Sequence, residues 1–214
     1  MDRATHLDDR ATAGAGRRKR QGGAFEIVAF AASAGGLQAL SQVLAAIPPE
    51  FPAAIVVVQH LDPRHRSLMA DILSKRTRLP VRQASEGDVL VPGTAHIAPP
   101  NRHLLVNADG TLSLSQSELV HFVRPSADLL FESTAASFKE RAIAVVLSGT
   151  GSDGSMGVRA IKKMGGTVIV QDERTSQFYG MPGAAVQTGS VDFVLPLDEI
   201  PPALVTLVGT GDMP

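Results

Sequence analysis

The sequence predicts an α/β domain of the doubly wound kind: a mostly parallel sheet with helices on both faces and an antiparallel hairpin insertion. Three observations carry that expectation. Short runs that are apolar throughout, such as residues 54–58 and 142–147, alternate with segments of helical periodicity, the pattern of strands buried between two helical layers. The rhythm breaks in the middle of the chain, where two short apolar runs flank Asp109-Gly110, a strong hairpin signal. It then resumes and continues almost to the C-terminus.

The elements follow in order. Residues 25–31 form a continuous apolar strand apart from Glu26. Leu37, Leu40, Val43, Leu44 and Ile47 recur at helical spacing, and Pro48-Pro49 ends that helix. Residues 54–58 are a second buried strand, followed by a polar helical segment over 65–76. Residues 81–84 and 95–98 read as short strands with Pro92-Gly93 as a turn between them. Residues 104–106 and 112–114 form the hairpin around Asp109-Gly110, so an antiparallel insertion in the sheet is expected. A helix over 126–138, a strand over 142–147, a helix over 155–164 and a strand over 167–171 restore the alternation. Residues 191–195 make the last strand, and residues 200–208 a closing helix opened by Pro201-Pro202.

Composition narrows the function. The chain has 214 residues, 44% of them hydrophobic, enough for one well-buried core. Aromatic residues make up only 4%, and the net charge is −1, so a base-stacking or strongly basic nucleic-acid surface is not expected. There is no Cys, which excludes disulfides, thiolate metal sites and a Cys nucleophile. No apolar run is long enough to span a bilayer, and the N-terminus lacks the apolar region of a secretory signal, so neither membrane insertion nor secretion is expected. Residues 1–24 stand apart. Arg3, Arg10, Arg17, Arg18, Lys19 and Arg20 face only Asp2, Asp8 and Asp9, and apolar periodicity is missing. This segment reads as a disordered basic tail, residues 25–208 as the folded domain and residues 209–214 as a flexible C-terminus.

Three polar clusters each follow a buried strand. They are Ser33-Ala34-Gly35-Gly36, Gln59-His60, and Ser148-Gly149-Thr150-Gly151-Ser152-Asp153-Gly154. In an open parallel sheet the carboxyl ends of the strands share one edge, so residues far apart in sequence can meet there. A serine hydroxyl becomes a competent nucleophile when a histidine takes its proton, and a carboxylate on the other ring nitrogen fixes that histidine's tautomer. Ser33, His60 and Asp153 supply these three parts. Ser33 lies just ahead of a helix whose N-terminal amides are placed to stabilise an oxyanion, and Gly35 and Gly36 permit close approach. Taken singly, each residue has a plainer reading: Ser33 and Asp153 as helix caps, His60 as a satisfied strand-end histidine. Other chemistries fit less well. Ala29 and Ala31 stand where a dinucleotide fingerprint needs glycine, no G-K-[ST] exists for a P-loop, and no H-E-x-x-H marks a zinc hydrolase.

These motifs, together with Ile97-Ala98-Pro99-Pro100, Arg124-Pro125-Ser126-Ala127-Asp128, Gln171-Asp172-Glu173 and Gly180-Met181-Pro182, resemble the catalytic domain of chemotaxis protein-glutamate methylesterases. In that family the serine of the S-[TA]-G-G motif is the nucleophile and falls on Ser33. The histidine of the Q-H motif falls on His60, and the aspartate of the G-x-D-G motif on Asp153. The resemblance implies a cytoplasmic enzyme that hydrolyses γ-glutamyl methyl esters on methylated chemoreceptors or related signalling proteins. Glutamine deamidation is implied as a second activity, with a cognate methyltransferase as partner and no metal or cofactor. Ala34, Gly35, Gly36, Thr150, Arg124 and Met181 are the further candidates for oxyanion or substrate contacts. For Arg124 and Asp128 the alternative is a structural ion pair or helix cap. The sequence departs from the best-known members at Ala34, where they carry Thr, and at Thr150, where they carry Met. Only 24 residues precede the first expected strand, too few for the receiver domain that many relatives carry. Control in trans is therefore expected. A non-catalytic adaptor of the same fold and a small-molecule esterase are the competing readings.

Overall fold

The computed structural model describes residues 26–60, 67–120 and 122–210. The basic tail, the start of the expected 65–76 helix and residues 211–214 lie outside the described residues.

Seven strands form one parallel sheet. β1 (Ile27–Ala32), β2 (Ala54–Gln59), β3 (Val81–Gln83), β4 (Ala95–Ile97), β7 (Ala142–Val146), β8 (Thr167–Gln171) and β9 (Phe193–Leu195) run in the order β3-β4-β2-β1-β7-β8-β9. β1 is central, with β2 on one side and β7 on the other, both parallel to it. Successive residues of β1 serve opposite faces. Val28, Phe30 and Ala32 pack under α1 (Gly36–Ala46), α2 (Met69–Ser74) and α6 (Ile200–Thr210). Ile27, Ala29 and Ala31 pack under α3 (Ala127–Phe138), α4 (Ser155–Lys163) and α5 (Gly180–Gln187). All six are 0% exposed, which explains why the run is apolar without alternation.

Two features differ from the sequence expectation. The hairpin β5 (His103–Val106) and β6 (Leu112–Ser115) forms a separate two-stranded sheet instead of joining the large one. The hairpin's Leu104, Val106 and Leu112 are buried beside α3. Ser133 Oγ accepts the Val106 N–H and Ser137 Oγ donates to the Val106 carbonyl, which fixes β5 on the helix. The second difference is α5, a helix that no apolar periodicity announced. α6 also runs to Thr210, past the expected end at 208.

This winding positions the site. The β1–α1–β2 connection moves one way along the sheet and β7–α4–β8 the other, so the switch in direction falls between β1 and β7, where a crevice opens at the strands' carboxyl edge. The segments after β1, β2 and β7 all emerge beside it.

Candidate active site

Ser33 follows the last residue of β1, and His60 follows the last residue of β2. Ala32 and Gln59 are register partners, so Ser33 and His60 leave adjacent parallel strands side by side, with strands spaced by about 4.8 Å. The Ser33 N–H donates to the Ser148 carbonyl at 3.0 Å, and the His60 N–H donates to the Ala32 carbonyl at 3.0 Å. Both residues are thus pinned by the ends of the sheet.

The loop that carries Ser33 is shaped from beneath. Its Ser33 carbonyl accepts the Gly36 N–H at 2.8 Å and the Gln59 side-chain amide at 2.7 Å. Gly35 caps α1 in the left-handed region, with φ 75°, a conformation that favours glycine. Gly36 is required for space: a Cβ there would stand 2.1 Å from Gln59 Oε1. The Ala34 carbonyl accepts the Ser148 hydroxyl at 2.8 Å, and the Ser148 N–H donates to Gln171 Oε1 at 2.9 Å.

Asp153 is nearly buried, with 4% of its side chain exposed, and His60 is at 13%. His60 Nε2 bonds Asp153 Oδ2 at 2.8 Å. The same carboxylate crowns the N-terminus of α3. Oδ2 accepts the Ala127 N–H at 2.6 Å, and Oδ1 accepts the Ser126 hydroxyl at 2.8 Å and the Asp128 N–H at 3.1 Å. Burial pushes the Asp153 pKa up. The hydrogen bonds from His60, Ala127 and Ser126, with the imidazole's charge, outweigh it and hold the carboxyl below its ordinary range. An ionised carboxylate therefore faces the His60 ring at Nε2, and Nδ1 is the ring nitrogen that Asp153 does not engage.

The sequence profile of the CheB methylesterase family matches residues 28–204. The chain belongs to the CheB methylesterase family. It is 44% identical over 204 residues to a protein-glutamate methylesterase/protein-glutamine glutaminase of Moorella thermoacetica, covering 93% of this chain and 48% of that protein. A putative protein of the same name from Leptospira interrogans is 38% identical over 183 residues, covering 86% of this chain and 95% of its own length. The Thermotoga maritima CheB methylesterase catalytic domain superposes with a TM-score of 0.83 at 37% identity, over 86% of this chain and 99% of that one. The chain spans about half the length of several curated relatives it matches.

Within this CheB-type domain the remaining candidates separate. Ala34 and Gly35 are partly exposed, whereas Gly36 is buried and its N–H is committed to Ser33. Thr150 is exposed on the loop after β7. Met181 is buried, and a Cβ on Gly149 would meet its Sδ at 2.4 Å and Ser33 Cβ at 3.0 Å, so Gly149 is packed closely between Met181 and Ser33. Arg124 lines a cavity of about 290 Å³ that also contains His60, Leu119 and Phe122. Its guanidinium is spent on structure, donating to Asn101 Oδ1 at 2.7 and 3.0 Å and to the Gln116 and Ser117 carbonyls at 3.1 and 2.7 Å. Asp128 joins two helices, its Oδ1 accepting the Gly157 N–H at 2.7 Å. Sequence reasoning missed the supporting roles of Gln59, Ser126, His103, Ser148 and Gln171. All five are buried polar residues, and a polar residue at the end of an apolar run was the signal available for Gln59, Ser148 and Gln171.

Proposed function

We propose that this domain is a serine hydrolase that removes methyl esters from glutamate side chains of chemoreceptor-type proteins, and deamidates glutamine side chains with the same groups. The observation that carries the reading is the His60–Asp153 hydrogen bond at 2.8 Å, formed beside the strand end that bears Ser33. The names of the relatives and the match to a CheB catalytic domain support the substrate class.

The geometry suits a double displacement. Ser33 Oγ attacks the glutamyl carbonyl carbon as His60 Nδ1 takes the hydroxyl proton, and the carbonyl oxygen becomes an oxyanion. Asp153 stays ionised throughout and stabilises the imidazolium; it does not itself take the proton. Backbone amides of Ala34 and Gly35, at the N-terminus of α1, are the proposed oxyanion donors. Collapse expels methanol, which leaves with the proton from His60, and Ser33 holds the glutamyl group as an acyl ester. Water then attacks the acyl carbon, again with His60 as base, and releases the free carboxylate. For a glutamine side chain the first leaving group is ammonia. Such a substrate requires a methyltransferase to write the ester.

Methanol release from a methylated receptor, set against release from a simple glutamate γ-methyl ester, tests the reading. A much higher kcat/KM on the receptor, lost in Ser33→Ala, is expected. Equal rates on both would make the protein a general carboxylesterase, and receptor binding without methanol release would make it an adaptor.

A further inference from the structure

We infer that His103 is a positioning residue for the Asp153–His60 pair, acting through Ser126. The inference rests on the proposed role of that pair in catalysis. His103 is on β5, wholly buried. The Ser126 N–H donates to its Nδ1 at 3.1 Å, and its Nε2 lies 3.0 Å from the Glu118 carbonyl. A backbone N–H only donates and a carbonyl only accepts. The ring is therefore neutral, with its one proton on Nε2, and both nitrogens are assigned by their partners.

Ser126 is the N-cap of α3, in extended conformation at φ −109° and ψ 134°. From there its hydroxyl and the next two backbone N–H groups all point at Asp153. The His103 bond to the Ser126 N–H holds the residue that supplies the first of these donors and leads directly into the other two. On its far side the same ring holds Glu118, in the segment that continues into the cavity wall of Leu119, Phe122 and Arg124 beside His60. One imidazole thus ties the cleft wall to the carboxylate that orients the base. A protonated ring would set an Nδ1–H against the Ser126 N–H and break this link. The charged groups that face His103 are Arg124, ahead of α3, which opposes protonation, and Asp153, ahead of α4, which favours it. Burial is the largest influence, and the pKa lies below 6.5.

His103→Asn and His103→Gln separate the two bonds in the intact chain. The Asn amide oxygen stands where Nδ1 was and accepts from Ser126; the Gln amide nitrogen reaches the Nε2 position and donates to Glu118, leaving the Ser126 N–H unpaired. The measurements are kcat and KM for methyl-ester hydrolysis, the thermal midpoint, and the low-field proton resonance of the His60–Asp153 hydrogen bond. The expected result is that His103→Gln lowers kcat about ten- to a hundredfold with KM within about twofold of wild type, and moves the low-field resonance. His103→Asn keeps both kcat and the resonance close to wild type. Equal kcat losses in the two variants, following their thermal midpoints, would overturn the proposal, as would a kcat loss with an unmoved resonance. Nitrogen NMR of the wild-type imidazole gives a test independent of folding in the variants: an Nδ1–H or doubly protonated His103 at pH 7 refutes the assignment. The resonance readout needs no turnover, so it judges His103 even if Ser33→Ala shows that the serine reading fails.

Discussion

The Asp153 carboxylate accepts from His60 Nε2, the Ser126 hydroxyl and the N–H groups of Ala127 and Asp128. It therefore holds the His60 ring, the proposed base, and caps a helix with the same two oxygens. Asp153→Asn forces an amide NH2 against at least one of these donors. Turnover should fall about 10⁴-fold through the displaced His60 tautomer, and stability by about 1–3 kcal/mol through unsatisfied buried donors; steady-state kinetics and urea unfolding read the two effects separately. Ser33→Ala should cost roughly four to six orders of magnitude in kcat with the unfolding midpoint unchanged, because its hydroxyl is not part of the backbone bonds that pin the loop. Retention of more than about a tenth of the activity would rule out the serine as nucleophile. The residue types of this set were legible in the sequence because each stands in a polar cluster that begins where an apolar run ends. Which His60 nitrogen meets Asp153 was not, since it depends on where α3 begins in space. Ser126 and His103 were equally hidden: His103 bonds only backbone groups and Ser126 meets a carboxylate 27 residues away, and such bonds leave no periodic mark.

Elements repeat the lesson in another form. The buried inner strands β1, β2, β7 and β8 were readable because β-branched and alanine-rich runs leave little else to form between two helical layers. α5 was not, since Gly180-Met181-Pro182-Gly183 reads as a turn. It is helical because Pro182 falls in the first turn, where a missing N–H costs nothing, and because Gly180 must pass the β7 loop. A Cβ on Gly180 would lie 3.0 Å from Gly151 N. Gly149 obeys the same spatial rule without an unusual backbone. Gly149→Ala should press on Met181 and Ser33 and lower kcat about tenfold or more, whereas Gly209→Ala, which meets nothing within 4 Å, should leave activity intact. The backbone at Gln116 and Ser117 depends on Arg124. Arg124→Ala removes four hydrogen bonds, to Asn101 and to the Gln116 and Ser117 carbonyls. KM for the protein substrate should rise more than KM for a small ester, because a small ester needs less of that wall.

Across the whole molecule, acid sensitivity follows from two buried histidines. His96 and His103 are both fully buried, and burial holds each pKa below 6.5. Neither His96 ring nitrogen is in a hydrogen bond of normal geometry. Its pKa is depressed by burial first and by Arg82 next, against weaker opposition from Asp88 and the Ile55 backbone. The native state refuses protons that the unfolded chain accepts, so this stability is complete above pH 6.5 and drains away as the pH falls below it. Asp153 behaves as a depressed carboxylate: its contribution is present above its ordinary 3.8 and is lost as the pH drops through its lower native value. Urea midpoints measured from pH 8 to 3 should show a gradual decline followed by a steeper one, and His96→Phe should flatten the first part. A midpoint that does not move between pH 8 and 5 would contradict this. The central position of β1, paired along its length with β2 and β7, has a further consequence. Its amides have no local route to solvent, so residues 28–32 should be among the slowest in the chain to exchange hydrogen for deuterium, opening only when the entire sheet melts. Because Ser33 is covalently the next residue, catalysis and global fold should disappear at one denaturant concentration, with no folded but inactive species between them.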